Sequence, residues 1–288
     1  MRLKDIEHIF HQELDNLYNP NEVTSFFNWL IEHYLSLKPL DMIMNPEYAV
    51  TKLEEQPLFQ ALSDLKQYKP IQYILGSTEF YGLTFNVNSY TLIPRPETEE
   101  LVSKIITDYS SHSNDSKLTI LDIGTGSGCI AVTLAKHLLN AQVTAIDISE
   151  DALKTAKENA ELNDVDISFI KSDILDYSDL TIDHSSFDVI VSNPPYVRNS
   201  EKSEIRPNVL DHEPHQALFV DDNDPLVFYR SICEFALDHL KPKGILYFEI
   251  NEYLGTAMLE LVAAYEFETI ELIKDMSGKD RMLKAVRC

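Results

Sequence analysis

The sequence predicts an α/β protein: a mostly parallel sheet covered by helices, with a small helical bundle ahead of it and a β-hairpin linker between. Three observations carry this prediction. From Glu97 to the C-terminus strand and helix patterns alternate, and such alternation builds a parallel sheet with helices on both faces. Residues 1–67 instead space their apolar side chains three and four apart, the helical period. Residues 70–95 are rich in β-formers separated by turn residues. The expected boundaries are 1–69 for the helical domain, 70–95 for the linker and 96–288 for the α/β domain.

In the helical segment the apolar face runs through Ile6, Ile9, Phe10, Leu14 and Leu17, then Val23, Phe26, Phe27, Leu30, Ile31 and Tyr34. Pro20, Pro39, Pro46 and Pro57 are expected near helix boundaries. In the linker, Tyr73-Ile-Leu75, Glu79-Phe-Tyr-Gly-Leu-Thr-Phe-Asn-Val87 and Tyr90-Thr-Leu-Ile93 read as β-rich. The α/β segment opens with helix 97–109, strand 118–123, a helix from about 128, strand 142–147 and helix 149–162. Strands 166–171 and 187–192, helix 225–239, strand 244–250 and helix 253–264 follow. Strands 267–273 and 281–287 have little between them, so they form an antiparallel edge hairpin and bring the count to seven strands. Ser110-Ser-His-Ser-Asn-Asp-Ser116 reads as a polar linker, and no internal repeat is evident.

Composition narrows the class. With 288 residues and 44% apolar content, the chain can bury a full-sized core. Met1-Arg-Leu-Lys-Asp-Ile-Glu7 is too charged for a secretory signal, and no uncharged apolar run reaches membrane-spanning length. Cys129, Cys233 and Cys288 are far apart and odd in number, which suggests a reducing cytoplasm rather than a disulfide framework or zinc knuckle. The formal charge is −23, with 6 basic and 11 acidic groups in residues 1–70 and 18 and 36 in the remainder. Such a surface repels polyanions, so direct nucleic-acid binding is not expected.

Leu118-Thr-Ile-Leu-Asp-Ile123 is a buried strand that runs into Gly124-Thr125-Gly126-Ser127-Gly128 and then an apolar helix. Glycines let the backbone turn tightly and approach a ligand where a Cβ would collide. Asp147 ends the next strand, where a carboxylate can accept both ribose hydroxyl hydrogens of a nucleoside. The spacing differs from the pyrophosphate signature, and the leading Asp122 would repel phosphates. S-adenosylmethionine carries no phosphate, and Asp122 could favour its ammonium directly or through water. Asp173 ends the following strand and either reads an adenine amine, with Ile174 packed on the ring, or caps a turn.

Phe187-Asp-Val-Ile-Val-Ser192 delivers Asn193-Pro194-Pro195-Tyr196 at the same sheet edge. Each proline holds its predecessor extended and lacks an N–H, so the tetrapeptide is rich in acceptors. The Asn193 side-chain oxygen and the Pro194 carbonyl can accept the two hydrogens of a planar NH2, while the Tyr196 ring packs against its flat body. An amide nitrogen is a poor nucleophile, and two aligned acceptors orient it and favour its developing positive charge. The glycine turn and this clamp together point to methyl transfer from S-adenosylmethionine to an amide or aromatic amine nitrogen, with Asn193, Pro194 and Tyr196 as the catalytic set.

The whole chain resembles the PrmC/HemK family of protein-glutamine methyltransferases. The match is carried by residues 79–87, Leu92-Ile-Pro-Arg-Pro-Glu-Thr-Glu99, the glycine turn and Asn193 to Tyr196. His212-Glu-Pro-His-Gln-Ala-Leu218 and Lys274-Asp-Met-Ser-Gly-Lys-Asp-Arg281 extend it. The resemblance implies a Rossmann-like class I methyltransferase domain and a helical N-terminal domain that helps recognise the substrate. That substrate would be the Gly-Gly-Gln glutamine of class I peptide chain release factors, modified in translation termination. It further implies that Gly124 to Gly128, Asp147, Ile174 and Asn193 contact the cofactor, and that Asn193 to Tyr196 hold the glutamine. Ile174 departs from relatives that carry an aromatic ring there.

Two rival readings stand beside this one. Asn-Pro-Pro-Tyr is shared with amino-methyltransferases acting on adenine or guanine in DNA or RNA, against which the charge argues. A non-catalytic cofactor-binding scaffold would have no need of the clamp. Asp211-His-Glu-Pro-His215 has ligand types at close spacing, but Pro214 breaks the helix that would align them, so no metal is expected. Arg95, Glu97 and Thr98 either shape the cofactor's methionine end or start the following helix.

Overall fold

The structure is a computed structural model that describes residues 1–110, 117–178, 180, 187–265 and 267–288. The polar stretch 111–116 lies outside the described residues. The chain divides into two compact units, Met1–Gly76 with Arg206–His212, and Ser77–Ile205 with Glu213–Cys288.

The first unit is helical throughout: α1 (Leu3–Leu14), α2 (Pro20–Leu35), α3 (Pro39–Met44), α4 (Lys52–Leu65) and α5 (Ile71–Leu75). Its starts are written in the sequence. Pro20 is the first residue of α2 and the Asn19 side chain accepts from the Asn21 N–H, while Thr51 and Glu54 close a capping box on α4. The apolar faces meet in one core, where the Phe10 and Phe27 rings pack edge-on at 5.1 Å among Ile6, Leu14, Leu30 and Leu58. Two expectations need correction here. Pro57 lies inside α4 rather than at its boundary. The hydrogen bond it forfeits is the one to the Leu53 carbonyl, and Leu53 is 79% exposed, so water can serve that group. Tyr73-Ile-Leu75 forms the short helix α5, not a strand, because Pro70 starts a helical turn and Gly76, at φ 74°, stops it.

The second unit opens with the hairpin β1 (Ser77–Phe80) and β2 (Leu83–Asn86), joined by Tyr81 and Gly82 at φ 51° and 73°. Two positive φ values in a two-residue loop match the twist of the flanking strands. No strand forms at Tyr90–Ile93, because the Asn88 side chain accepts from Tyr90 N at 2.9 Å and curls the chain into a turn. The α/β succession then runs α6 (Pro96–Tyr109), β3 (Leu118–Ile123), α7 (Cys129–His137), β4 (Ala141–Asp147), α8 (Glu150–Leu162), β5 (Ile167–Lys171) and β6 (Phe187–Ser192). The sequence did not announce the next stretch: β7 (Val197–Arg198), a 3-10 turn, α9 (Pro207–Leu210), which belongs to the first unit, and β8 (Phe219–Val220). The chain closes with α10 (Val227–His239), β9 (Leu240–Glu249), α11 (Gly255–Ala263), β10 (Phe267–Lys274) and β11 (Asp280–Arg287).

Seven strands form one sheet in the order β10-β11-β9-β6-β3-β4-β5, parallel except for β11, which runs antiparallel to both its neighbours. The edge hairpin is present as expected. Alternate residues of each strand feed two cores: Ile120, Val143 and Val189 on one face, and Leu121, Ile146 and Ile190 on the other. Strand order reverses between β3 and β6, and ligands of such sheets bind beyond the carboxyl ends at that point. No described helix is long and apolar enough to cross a membrane.

The three glycines after β3 do different work. At Gly124 and Gly126, with φ 74° and 56°, an added Cβ would meet nothing within 4 Å. At Gly128, φ 80°, it would lie 3.0 Å from the Ala156 Cβ and 3.3 Å from its Cα, so this glycine lets α7 lie close against α8. Gly128→Ala is therefore expected to lower stability by about 2–4 kcal/mol, from overpacking plus the left-handed backbone. Gly126→Ala carries only the backbone term of about 1–2 kcal/mol. Equilibrium urea unfolding of the two variants checks the difference.

Candidate active site

A cavity of about 370 Å³ opens at the carboxyl ends of β3, β4 and β6. This is the size range of a small-molecule site. Gly124, Thr125, Gly126 and Ser127 form its floor. Asp147 stands at the end of β4, its Oδ2 accepting from Gly126 N and its Oδ1 from Ser149 N, both at 2.9 Å. These bonds brace the glycine turn and leave each carboxylate oxygen a second lone pair for a ligand. Burial raises the Asp147 pKa, and the N–H donors of Ser149 and Gly126 pull against that shift.

Of the two readings of Asp173, the turn cap is present. Its Oδ1 accepts from Leu175 N at 2.9 Å, a turn cap, and the residue also lines the cavity. Ile174 lines the same wall and is 9% exposed, with its carbonyl held by the Ser231 hydroxyl. Gly128, expected among the cofactor residues, does not line the cavity; helix packing explains its presence. Asp122 is fully buried beneath the turn and outside the cavity wall, so it acts on the turn itself. Its Oδ2 accepts from the Thr125 hydroxyl at 2.6 Å. Desolvation pushes its pKa up to about 7.

On the opposite side β6 ends in Ser192, whose hydroxyl donates to the Ile123 carbonyl at 2.7 Å and locks the clamp strand to β3. Asn193, Pro194 and Pro195 line the cavity. The Asn193 Nδ2 donates to Thr98 Oγ1 at 3.3 Å. Among the described residues nothing donates to its Oδ1 or to the Pro194 carbonyl. Asn193, Pro194 and the glycine turn thus line one cavity. Tyr196 is placed differently from expectation. Its ring packs on the core and its hydroxyl donates to Glu249 Oε1 at 3.0 Å, so it stays outside the cavity wall. Burial, then the nearby Glu249 charge, raises the Tyr196 pKa.

Sequence reasoning passed over Glu249 and did not foresee the roles of Thr98 and Glu213. Glu249, at the end of β9, is fully buried and accepts from the Thr98 hydroxyl at 2.6 Å as well as from Tyr196. Burial raises its pKa, opposed by the hydrogen bonds from Thr98 and Tyr196. Its signal was available: an acid closing the apolar strand Ile245-Leu-Tyr-Phe-Glu249, as Asp147 closes its own. Thr98 belonged to a segment already singled out, with its role left open. Glu213 is the third; its oxygens take the Ile93 N–H at 3.1 Å and the Arg95 guanidinium at 2.6 Å, tying residues 93–95 to the 213–217 segment. Arg95 and Thr98 line the cavity, as do Pro214 and Gln216. One of the two acids of the Asp211–His215 cluster, Glu213, is therefore committed to Arg95, and His212 Nε2 lies 2.8 Å from the Gln67 carbonyl.

Comparison with known proteins adds the following. Residues 10–76 match the PrmC N-terminal domain family and residues 114–282 match a methyltransferase domain family. A release factor glutamine methyltransferase of Flavobacterium psychrophilum is 52% identical over 99% of both chains. The Bacteroides thetaiotaomicron protein of that name is 43% identical over 96% of this chain and 97% of its own. A methyltransferase structure from Pyrococcus furiosus superposes with a TM-score of 0.53 at 19% identity, covering 82% of this chain and 99% of that one.

Proposed function

The chain belongs to the release factor glutamine methyltransferase family, and from that premise we infer that it methylates the side-chain amide nitrogen of the Gly-Gly-Gln glutamine in class I peptide chain release factors. The donor is S-adenosyl-L-methionine and the product S-adenosyl-L-homocysteine. The observation that carries this reading is that Asn193 and Pro194 line the same cavity as the glycine turn, with the Asn193 amide nitrogen engaged by Thr98.

The residues present suit the donor. Gly124 and Gly126 leave a floor that a Cβ would fill, Asp147 keeps lone pairs for ribose hydroxyls, and Asp173 and Ile174 flank the place for adenine. When bound, the donor supplies an electrophilic methyl group on a sulfonium sulfur. Asn193 and Pro194 accept the two amide hydrogens, orient the nitrogen toward the methyl group and stabilise the growing positive charge on nitrogen. The N-methylated cation is a strong acid and loses its proton readily, so no strong base is needed beforehand. Pro195 shapes the wall beside the carboxamide, and Tyr196 holds the clamp from behind through Glu249.

The helical domain is assigned to recognition of the release factor, and the site of action to the cytoplasm. Nucleic acid is not the assigned substrate, since the −23 charge disfavours it. Incubating the protein with methyl-labelled donor and either a release factor or nucleic acid tests the reading. Label is expected on the glutamine of the release factor, and label on nucleic acid alone overturns it.

A further inference from the structure

The open end of the Asn193 carboxamide matters more than its presence, because the two ends are nearly equal in shape and opposite in hydrogen-bonding character. With its oxygen toward the cavity, Asn193 holds an NH2 group; with its nitrogen there, it would repel one. Orientation follows from a chain of bonds that begins at Glu249. Both oxygens of the buried Glu249 side chain accept, Oε2 from the Thr98 hydroxyl at 2.6 Å and Oε1 from Tyr196 at 3.0 Å. Burial raises the Glu249 pKa, and the two hydroxyl donors and the charge of Arg281, itself 3.3 Å from Asp275, oppose that shift. The Thr98 hydroxyl proton therefore points to Glu249, which leaves only lone pairs on Oγ1 for Asn193. The Asn193 oxygen would meet those lone pairs unfavourably, whereas Nδ2 donates to them at 3.3 Å.

We propose that Thr98 and Glu249 are positioning residues that set which end of the Asn193 carboxamide faces the substrate, and so commit the site to a carboxamide and against a carboxylate. The proposal rests on the amide-methylation reading above. Glu249 determines the direction of the Thr98 hydroxyl, Thr98 determines the direction of the amide, and neither needs to touch the substrate amide. Thr98 sits in the first turn of α6 and Glu249 at the end of β9, so two elements far apart in sequence meet at the Thr98 hydroxyl. Tyr229 fixes β9 at that point, its hydroxyl donating to the Glu249 carbonyl at 3.0 Å.

Thr98→Ser and Thr98→Ala test this, because both lose the methyl group and only one keeps the hydroxyl. In the full-length enzyme with a release factor as substrate, the serine variant is expected within about threefold of wild-type kcat. The alanine variant is expected to lose roughly 10- to 100-fold in kcat, the scale of a misplaced reacting group. Affinity for S-adenosylhomocysteine by calorimetry should be the same in both. With 15N-labelled asparagine, the Asn193 side-chain NH2 resonances should shift in the alanine variant and hold in the serine variant. Equal turnover of the two variants, or unmoved NH2 resonances, overturns the proposal and leaves the methyltransferase reading standing. A wild-type enzyme that transfers no methyl to release factor sinks that reading instead.

Discussion

Asn193→Ala is expected to reduce methyl transfer by on the order of 10²–10³-fold or more, while most of the affinity for S-adenosylhomocysteine remains. The magnitude follows from what the side chain does. It offers one of two acceptors that hold a poorly nucleophilic nitrogen in line, and loss of one preorganised polar partner at a reacting centre typically costs that much. Misplacement by about 1 Å adds to the loss. Binding should survive because the floor of the cavity is made by Gly124 to Ser127 and braced by Asp147, none of which hydrogen-bonds to Asn193. Thr98 would lose one donor and keep its bond to Glu249, so the fold is not at risk. Single-turnover transfer to a release factor and calorimetry with the product separate the two effects. Unchanged turnover would remove Asn193 from the clamp.

Much of the fold was legible because each local signal agreed with the packing that followed. Buried strands read from short apolar stretches such as Ile120-Leu121 and Val189-Ile-Val191, and the helices between them carried a clean period. Failures came where a short segment is decided by its ends. Tyr73-Ile-Leu75 has strand-forming residues, yet Pro70 and Gly76 make it one helical turn. Tyr90–Ile93 was outvoted by a single asparagine side chain at 88. The β7–β8 pair joins Val197–Arg198 to Phe219–Val220 across some twenty residues of turns, and two-residue strands leave no periodicity to find.

The site was legible where a residue's neighbours in sequence are also its neighbours in function. The glycine turn and Asn193-Pro-Pro-Tyr196 are such cases. Tyr196 is the instructive exception, since its place in the motif said nothing of the acid at 249 that draws its hydroxyl away from the cavity. Thr98 and Glu249 lie 151 positions apart, and a bond of that separation has no local trace. The same holds for Arg95 and Glu213, 118 positions apart, whose pairing turned an apparent ligand cluster into a brace.

Asp147→Ala should raise the dissociation constant for S-adenosylhomocysteine by about 10- to 100-fold, the scale of one to two hydrogen bonds to a charged acceptor. The obvious objection is that Asp147 also accepts from Gly126 and Ser149, so its loss could loosen the turn without any role at the ribose. Asp147→Asn does not escape that objection either, since its NH2 would confront one of those N–H groups. The ligand can answer where the protein cannot. If Asp147 holds the ribose hydroxyls, the 2′-deoxy analogue of S-adenosylhomocysteine binds wild-type enzyme several-fold more weakly than the parent, and binds Asp147→Ala no more weakly than the parent does. If Asp147 only braces the turn, the deoxy penalty is the same in both proteins. Acidification offers a second view. Burial holds the Asp147 pKa above that of a free aspartate, so affinity should decline on lowering the pH sooner than an exposed carboxylate would allow. Equal deoxy penalties in the two proteins would refute the ribose assignment while leaving the amide clamp on the other wall untouched.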